Sequence, residues 1–206
     1  MKVPMSWLQA MVNLPDGTTT DEVARALTNH TATVEKVEVV GGELTGPIVI
    51  GHILSSVPEP QKNGKIINWC RVDVGPRYNA EGHPKNIAEG TEGRGIVCGA
   101  PNAVEGAWVV VSLPGAVLPG GFAISARKTY GHMSDGMLCA SDELGIGAYE
   151  PGIITLPPSV EGHQLVPGEN ALPILGVPEQ VLDVDVTPDI GYCMSMRGIA
   201  REVAHA

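Results

Sequence analysis

The sequence predicts an α+β fold in two parts. A small all-β barrel or sandwich spans residues 47–150 and is inserted into a discontinuous α+β domain made from 1–46 and 151–206. Three observations lead there. The middle of the chain, 95–139, holds short β-branched runs at 95–98, 108–112 and 123–128, parted by glycine and proline clusters. Strands that short, broken about every ten residues by turn chemistry, are the pattern of a barrel or sandwich. The flanks are poor in elements: 1–46 offers one helix and one strand, and 151–206 two strands and one helix. Chains that short bury too little surface to hold a core alone, so the two flanks are expected to fold together. Finally, 26 glycines and 17 prolines favour turns over long helices.

The elements follow in order. The chain opens with MKVPMSWL, whose Trp7 and Leu8 are expected to pack inward. Thr20 is the predicted N-cap of a helix over 21–29, with Asp21 and Glu22 in its first turn, where negative charge suits the helix dipole. Val23, Ala26, Leu27 and His30 recur at helical spacing and form one face, with His30 at its polar edge. Residues 34–40 (VEKVEVV) read as a strand and 41–47 as a linker. In the inserted part, 48–56 (IVIGHILSS) is a strand in which Gly51 permits a bulge, and 66–74 (IINWCRVDV) is a second strand. Residues 76–93, polar and rich in glycine and acid, read as a long hairpin loop of disordered composition. Ser141 caps a short helical turn over 142–146. Residues 171–175 and 181–186 read as strands, and 193–204 (CMSMRGIAREVA) as an amphipathic helix with Met196, Ile199, Ala200 and Val203 on one face. That helix meets His205 and Ala206 without a glycine or proline stop, which predicts that the natural chain continues.

Charge and composition narrow the function. The formal net charge is −10, whereas a domain that grips nucleic acid alone is usually basic. Any RNA contact is therefore expected to be local, weak or shared with a partner. Cys70, Cys98, Cys139 and Cys193 stand far apart with no CxxC pair, which argues against zinc; three of them sit in apolar runs, as small buried hydrophobes do. With no signal-like opening and no apolar run near the ~20 residues of a membrane span, a reduced cytoplasmic protein is expected.

No catalytic constellation emerges. GHMSDG (131–136) has the wrong spacing for a nucleophile elbow, and Ser134 and Asp135 read as turn residues bonding nearby backbone. Asn63-Gly64-Lys65 lacks the rest of a phosphate loop. Asp183 and Asp185 share a strand face as solvated carboxylates, and His52 is an isolated strand histidine with a structural role. The remaining candidates are basic: Lys62, Lys65 and Arg71 around the second strand, and Arg127 and Lys128 closing a later one. Trp69 and Tyr130 are the few aromatics placed to stack on bases, while Glu59, Asp73, Glu81, Glu89 and Glu92 oppose the cations.

Residues 95–102 (GIVCGAPN), 113–121 (LPGAVLPGG) and 134–139 (SDGMLC) resemble, in order, the tRNA-binding OB-type module near the N-terminus of the bacterial phenylalanyl-tRNA synthetase β subunit. The opening MKVPMSWL resembles the start of that subunit, and 171–186 with 187–204 resemble the close of its first domain, so the resemblance covers essentially the whole chain. Two departures stand out. The family's His-Pro-Asn-Ala-Asp segment before the second strand is PQKNGK here (60–65), which weakens transfer of an RNA-binding role. Its Thr-Pro-Asn-Arg turn becomes Thr187-Pro188-Asp189-Ile190, which alters a turn.

The resemblance implies an OB-fold barrel, and a parent enzyme of two α and two β subunits that uses ATP and Mg²⁺ to attach phenylalanine to its tRNA. The catalytic centre of that family lies in the α subunit. This chain is then a fragment with no active site and no cofactor of its own, a scaffold with auxiliary tRNA contact. Its implied partners are the α subunit, the remaining β-subunit domains and tRNA, with no DNA and no membrane. OB barrels bind oligonucleotides on the face of strands two and three and nearby loops, which would gather Lys62, Lys65, Arg71, Arg127 and Lys128 into one patch. A free-standing tRNA-binding OB-fold protein is the alternative.

Overall fold

The computed structural model describes residues 1–80 and 93–206. Along the chain the first elements are β1 (Lys2–Pro4), α1 (Met5–Gln9), α2 (Thr20–His30), β2 (Val34–Val40), β3 (Ile48–Pro60), β4 (Ile66–Asp73) and α3 (Gly75–Ala80). Then come β5 (Arg94–Cys98), β6 (Trp108–Ser112), β7 (Val117–Leu118), β8 (Phe122–Ala123), β9 (Arg127–Thr129), β10 (His132–Ser134) and β11 (Met137–Leu138). The last are β12 (Thr155–Leu156), β13 (Ser159–Val160), β14 (His163–Gln164), α4 (Ala171–Ile174), β15 (Glu179–Val184) and α5 (Met196–His205). The chain divides into two compact units, Met1–Gly42 with Val177–Ala206, and Glu43–Gly176; the sequence sets those boundaries at 46 and 150.

In the first unit, β1, β15 and β2 form an antiparallel sheet with β15 in the centre, Val3 opposite Leu182 and Leu182 opposite Val37. Leu182 and Val184 join Leu8 of α1, Val23 and Leu27 of α2, and Ile199, Ala200 and Val203 of α5 in one buried core. The far ends of the chain segment thus exclude water together. Beside Lys2, Asp183 accepts a hydrogen bond from Nζ at 2.9 Å and Glu38 lies 3.0 Å from it, so Asp183 is an ion-pair partner and not merely a solvated carboxylate.

Three local expectations in this unit change. Thr19, not Thr20, caps α2: its hydroxyl accepts from the Glu22 N–H while Glu22 Oε2 accepts from the Thr19 N–H, a capping box. Thr20 is buried and bonds Gln180 instead. Trp7 is 62% exposed, because the single turn of α1 can turn only one side to the core and Met5 and Leu8 occupy it. The final helix starts later than 193: a 3-10 turn over Pro188–Met194 precedes it, and the Ser195 hydroxyl accepts from Gly198 N–H at 3.0 Å to cap α5. Gly198 is required there, since a Cβ would lie 2.1 Å from the Tyr192 carbonyl oxygen.

In the second unit the strand order β11-β6-β3-β4-β5, with β12 also on β6, makes an antiparallel sheet that nearly closes. The closure is made just before β11: Asp135 N–H donates to Gly95 O at 2.9 Å and Val97 N–H donates to Ser134 Oγ at 3.0 Å. Val49, Ile53, Cys70, Val72, Ile96, Val109, Val111 and Leu138 fill the interior. This is a nearly closed, barrel-like antiparallel sheet, consistent with the OB type. The irregularity in β3 falls between Ile53 and Ser55, not at Gly51. Gly51 serves closeness: a Cβ would sit 2.6 Å from Val111 and 2.8 Å from Val72.

Residues 151–176 pair within this unit. Thr155 and Leu156 lie opposite Val109 and Trp108, Ile50 N–H donates to Glu169 O, and the Asn102 side chain bonds both the N–H and the C=O of Ile153. Residues 171–174 are helical instead of extended, because Asn170 Oδ1 accepts from Leu172 N–H as an N-cap. The run 123–128 splits into β8 and β9, and 142–146 lies in hydrogen-bonded turns. Of the long loop expected at 76–93, the start is α3, and 81–92 lie outside the described residues.

Candidate nucleic-acid interface

The site expected from sequence is a set of cations on the β4 side of the barrel, and the structure divides that set. Lys62 and Lys65 sit exposed at the tip of the β3–β4 hairpin, where Gln61 N–H donates to Lys65 O at 2.7 Å and Lys65 N–H to Asn63 Oδ1 at 3.1 Å. Arg127 and Lys128 lie exposed on β9. The β9–β10 hairpin turns at Tyr130 and Gly131, with φ of 50° and 87° and Thr129 opposite His132, as a two-residue hairpin whose twist matches its strands.

Arg71 does not join them on the surface. It is 6% exposed, opposite Ser55 of β3 and Gly95 of β5. A Cβ on Gly95 would stand 3.0 Å from the Arg71 Nη1 and 2.3 Å from the Trp69 ring, so both long side chains lie over that glycine. Burial pulls the guanidinium below its ordinary pKa. Alternation along β4 puts Trp69 and Arg71 on the same outward face, but the β5 neighbour without a side chain lets the arginine fold down.

The two hairpins meet at that face. His132 stacks on Trp69 with ring centroids 4.1 Å apart and planes 15° from parallel. Its Nε2 stands 3.0 Å from both Oε1 and Oε2 of Glu59. Glu59 is thereby engaged, and Asp73 accepts from Gly75 N–H at 2.9 Å and from Asn79 Nδ2 at 2.7 Å, so two of the opposing acids are hydrogen-bonded. Glu81, Glu89 and Glu92 lie outside the described residues. His52, read as structural, rests against Trp108 with centroids 4.8 Å apart.

One pair was invisible in sequence. Arg94 and Asp135, 41 positions apart and both buried, form an ion pair at 3.0 Å, and Arg94 Nε also donates to Tyr78 O at 2.8 Å. The turn residue of GHMSDG is thus a counter-ion at the barrel's closure. In the sequence Asp135 stands between Ser134 and Gly136 in a turn-like segment, which carries no sign of a buried partner.

Burial pushes the Cys139 thiol up to about 12 and the Cys98 thiol up to about 11, far from nucleophilic at neutral pH. Among the described residues, no group of three or more His, Cys, Asp and Glu is placed to hold a metal, and no helix is long and apolar enough to cross a membrane.

Residues 84–164 match a family model described as a putative tRNA binding domain. The chain is 94% identical over 206 residues to the phenylalanine–tRNA ligase beta subunit of Cutibacterium acnes, covering 100% of this chain and 25% of that protein. It is 52% identical over 206 residues to the same subunit of Thermobifida fusca, covering 100% of this chain and 23% of that protein. For Bifidobacterium longum the identity is 44% over 208 residues, covering 99% of this chain and 23% of that protein. Over its whole length, the chain matches the N-terminal part of phenylalanine–tRNA ligase beta subunits. It spans about a quarter of the length of these relatives. Within that match, the tRNA-binding model covers the β9–β10 hairpin with Arg127 and Lys128, but starts after the β3–β4 hairpin with Lys62 and Lys65.

Proposed function

We propose that this chain acts as the noncatalytic N-terminal part of a phenylalanine–tRNA ligase beta subunit: a scaffold whose barrel makes an auxiliary contact with tRNA. The observation that carries this reading is 94% identity along the whole chain to a quarter of one such subunit. In the parent enzyme, ATP and Mg²⁺ drive the attachment of phenylalanine to its tRNA in the cytoplasm, and the α subunit and later β-subunit domains are this chain's partners. No cofactor is assigned to this chain's own residues. The 94% identity along the whole chain to such a subunit supports this reading over the free-standing tRNA-binding alternative.

Phenylalanine-dependent exchange of pyrophosphate into ATP by the isolated chain is expected to be nil, and a measurable rate overturns the noncatalytic assignment. Contact with tRNA is assigned to Lys62, Lys65, Arg127 and Lys128, while Arg71 is buried over Gly95. Reversing those four to Glu in the full ligase raises KM for tRNA and leaves kcat unchanged. It also makes the salt dependence of tRNA binding shallower, by roughly one for each phosphate no longer neutralised. An unaltered KM and slope leave the barrel as scaffold only.

We infer, too, that Met1–Gly42 and Val177–Ala206 constitute one discontinuous α+β domain into which the barrel is inserted. Their shared core supports this.

A further inference from the structure

We propose that His132 holds the place of a nucleobase on Trp69, making the β9–β10 hairpin a built-in competitor for a base-stacking site on the outer face of β4. The inference rests on the reading of the barrel as a tRNA contact and says where an unpaired base of RNA binds and what blocks it. The centroid distance of 4.1 Å and the tilt of 15° between the two rings are those of a base stacked on an aromatic side chain. The ring edge is recognised as a base edge would be: the Glu59 carboxylate faces His132 Nε2 through both oxygens at 3.0 Å. A carboxylate accepts equally from the amino or imino edge of a base.

The site is built and then filled from within the chain. Gly95 lets the indole lie low on β5, since a Cβ there would be 2.3 Å from the ring. Beside it, Val57, opposite Trp69 on β3, is 51% exposed and extends the apolar surface a base would cover. The hairpin that delivers His132 has only three residues in each strand. Its base is fixed to the barrel: Ser134 accepts from Val97 N–H, and Asp135 is held by Gly95 O and Arg94. Its tip is held to the face by His132 through Trp69 and Glu59. Lifting the tip therefore bares Trp69 without opening the barrel, with Arg127 and Lys128 on the neighbouring strand of the same hairpin. Base and phosphate recognition then arrive together, the base on Trp69 and the phosphates on the two cations.

The test is the binding of fluorescent single-stranded oligoadenylate to the 206-residue chain by anisotropy, with circular dichroism confirming that each variant is folded. His132→Ala and His132→Leu, which remove the competing ring, are expected to tighten binding about tenfold, the scale of one base–aromatic stack. His132→Phe keeps a ring on Trp69 and should bind as the parent does. Adding Trp69→Ala to His132→Ala should abolish the gain. Equal affinity for the Ala, Leu and Phe variants overturns the competitor role. If Arg127→Glu with Lys128→Glu still weakens tRNA binding in that case, the tRNA contact stands and only the self-blocking falls. Indifference to all of these substitutions removes both.

Discussion

Asp135 and Arg94 show how much one buried pair decides. Each is nearly inaccessible, so the Asp135 carboxylate is what makes the guanidinium tolerable in the barrel wall. Removing one partner of a buried ion pair typically costs roughly 3–5 kcal/mol, because the other charge is left without compensation. Asp135→Asn is therefore expected to lower stability by that order in urea unfolding; a loss below about 1 kcal/mol would mean that Arg94 is satisfied without it. The buried thiols give a pH dependence of definite sign. A thiol is neutral while protonated, and burial raises the folded pKa of Cys139 to about 12 and of Cys98 to about 11, above the roughly 8.5 of a free thiol. The folded state then holds its thiol protons longer than the unfolded one. The contribution to stability is whole below about pH 8.5 and is lost as pH rises through the folded values. Urea titrations at increasing alkalinity should show this decline, shallower in a Cys98→Ala, Cys139→Ala variant. An identical decline in both proteins would assign it to other groups.

The elements of the first unit follow local rules closely enough to be tested one at a time. The α2 capping box joins Thr19 and Glu22 through reciprocal hydrogen bonds. Thr19→Ala is expected to destabilise by about 1 kcal/mol, read as a lowered thermal midpoint, while Thr20→Val would probe the separate contact with Gln180. The sequence expectation sets this cap one residue late because Thr18, Thr19 and Thr20 are chemically alike, and it passes over the local signal that selects Thr19, Glu22 three residues on. The same limit applies at 171–174, where a strand-like composition yields to the Asn170 cap. In the barrel, glycine was legible as turn chemistry but not as closeness: Gly51 and Gly95 matter for the side chains that cross above them.

At the scale of the molecule, the inserted-barrel proposal makes its own prediction. Val40 lies opposite Glu179, and a Cβ on Gly41 would touch Val177 at 2.8 Å, so the two ends of the first unit are adjacent in space. Replacing Glu43–Gly176 with a short glycine-serine linker should leave a soluble protein with cooperative thermal unfolding. A product without a transition would show that the flanks need the barrel to fold.

What the sequence determined by itself is whatever acts within a few residues. Turn chemistry announced the short strands, periodicity announced α2 and α5, and residue type announced buried cysteines and exposed lysines. It also carried ordered motifs that resemble those of the phenylalanine–tRNA ligase beta subunits to which the chain is similar. What only the tertiary structure decided lies between distant segments: Arg71 buried over Gly95, Trp7 left outside, Arg94 matched to Asp135, residues 151–176 paired with the barrel, and His132 laid on Trp69. Strand register sets those neighbours, and register is a property of two segments at once, so neither segment's own residues can specify it.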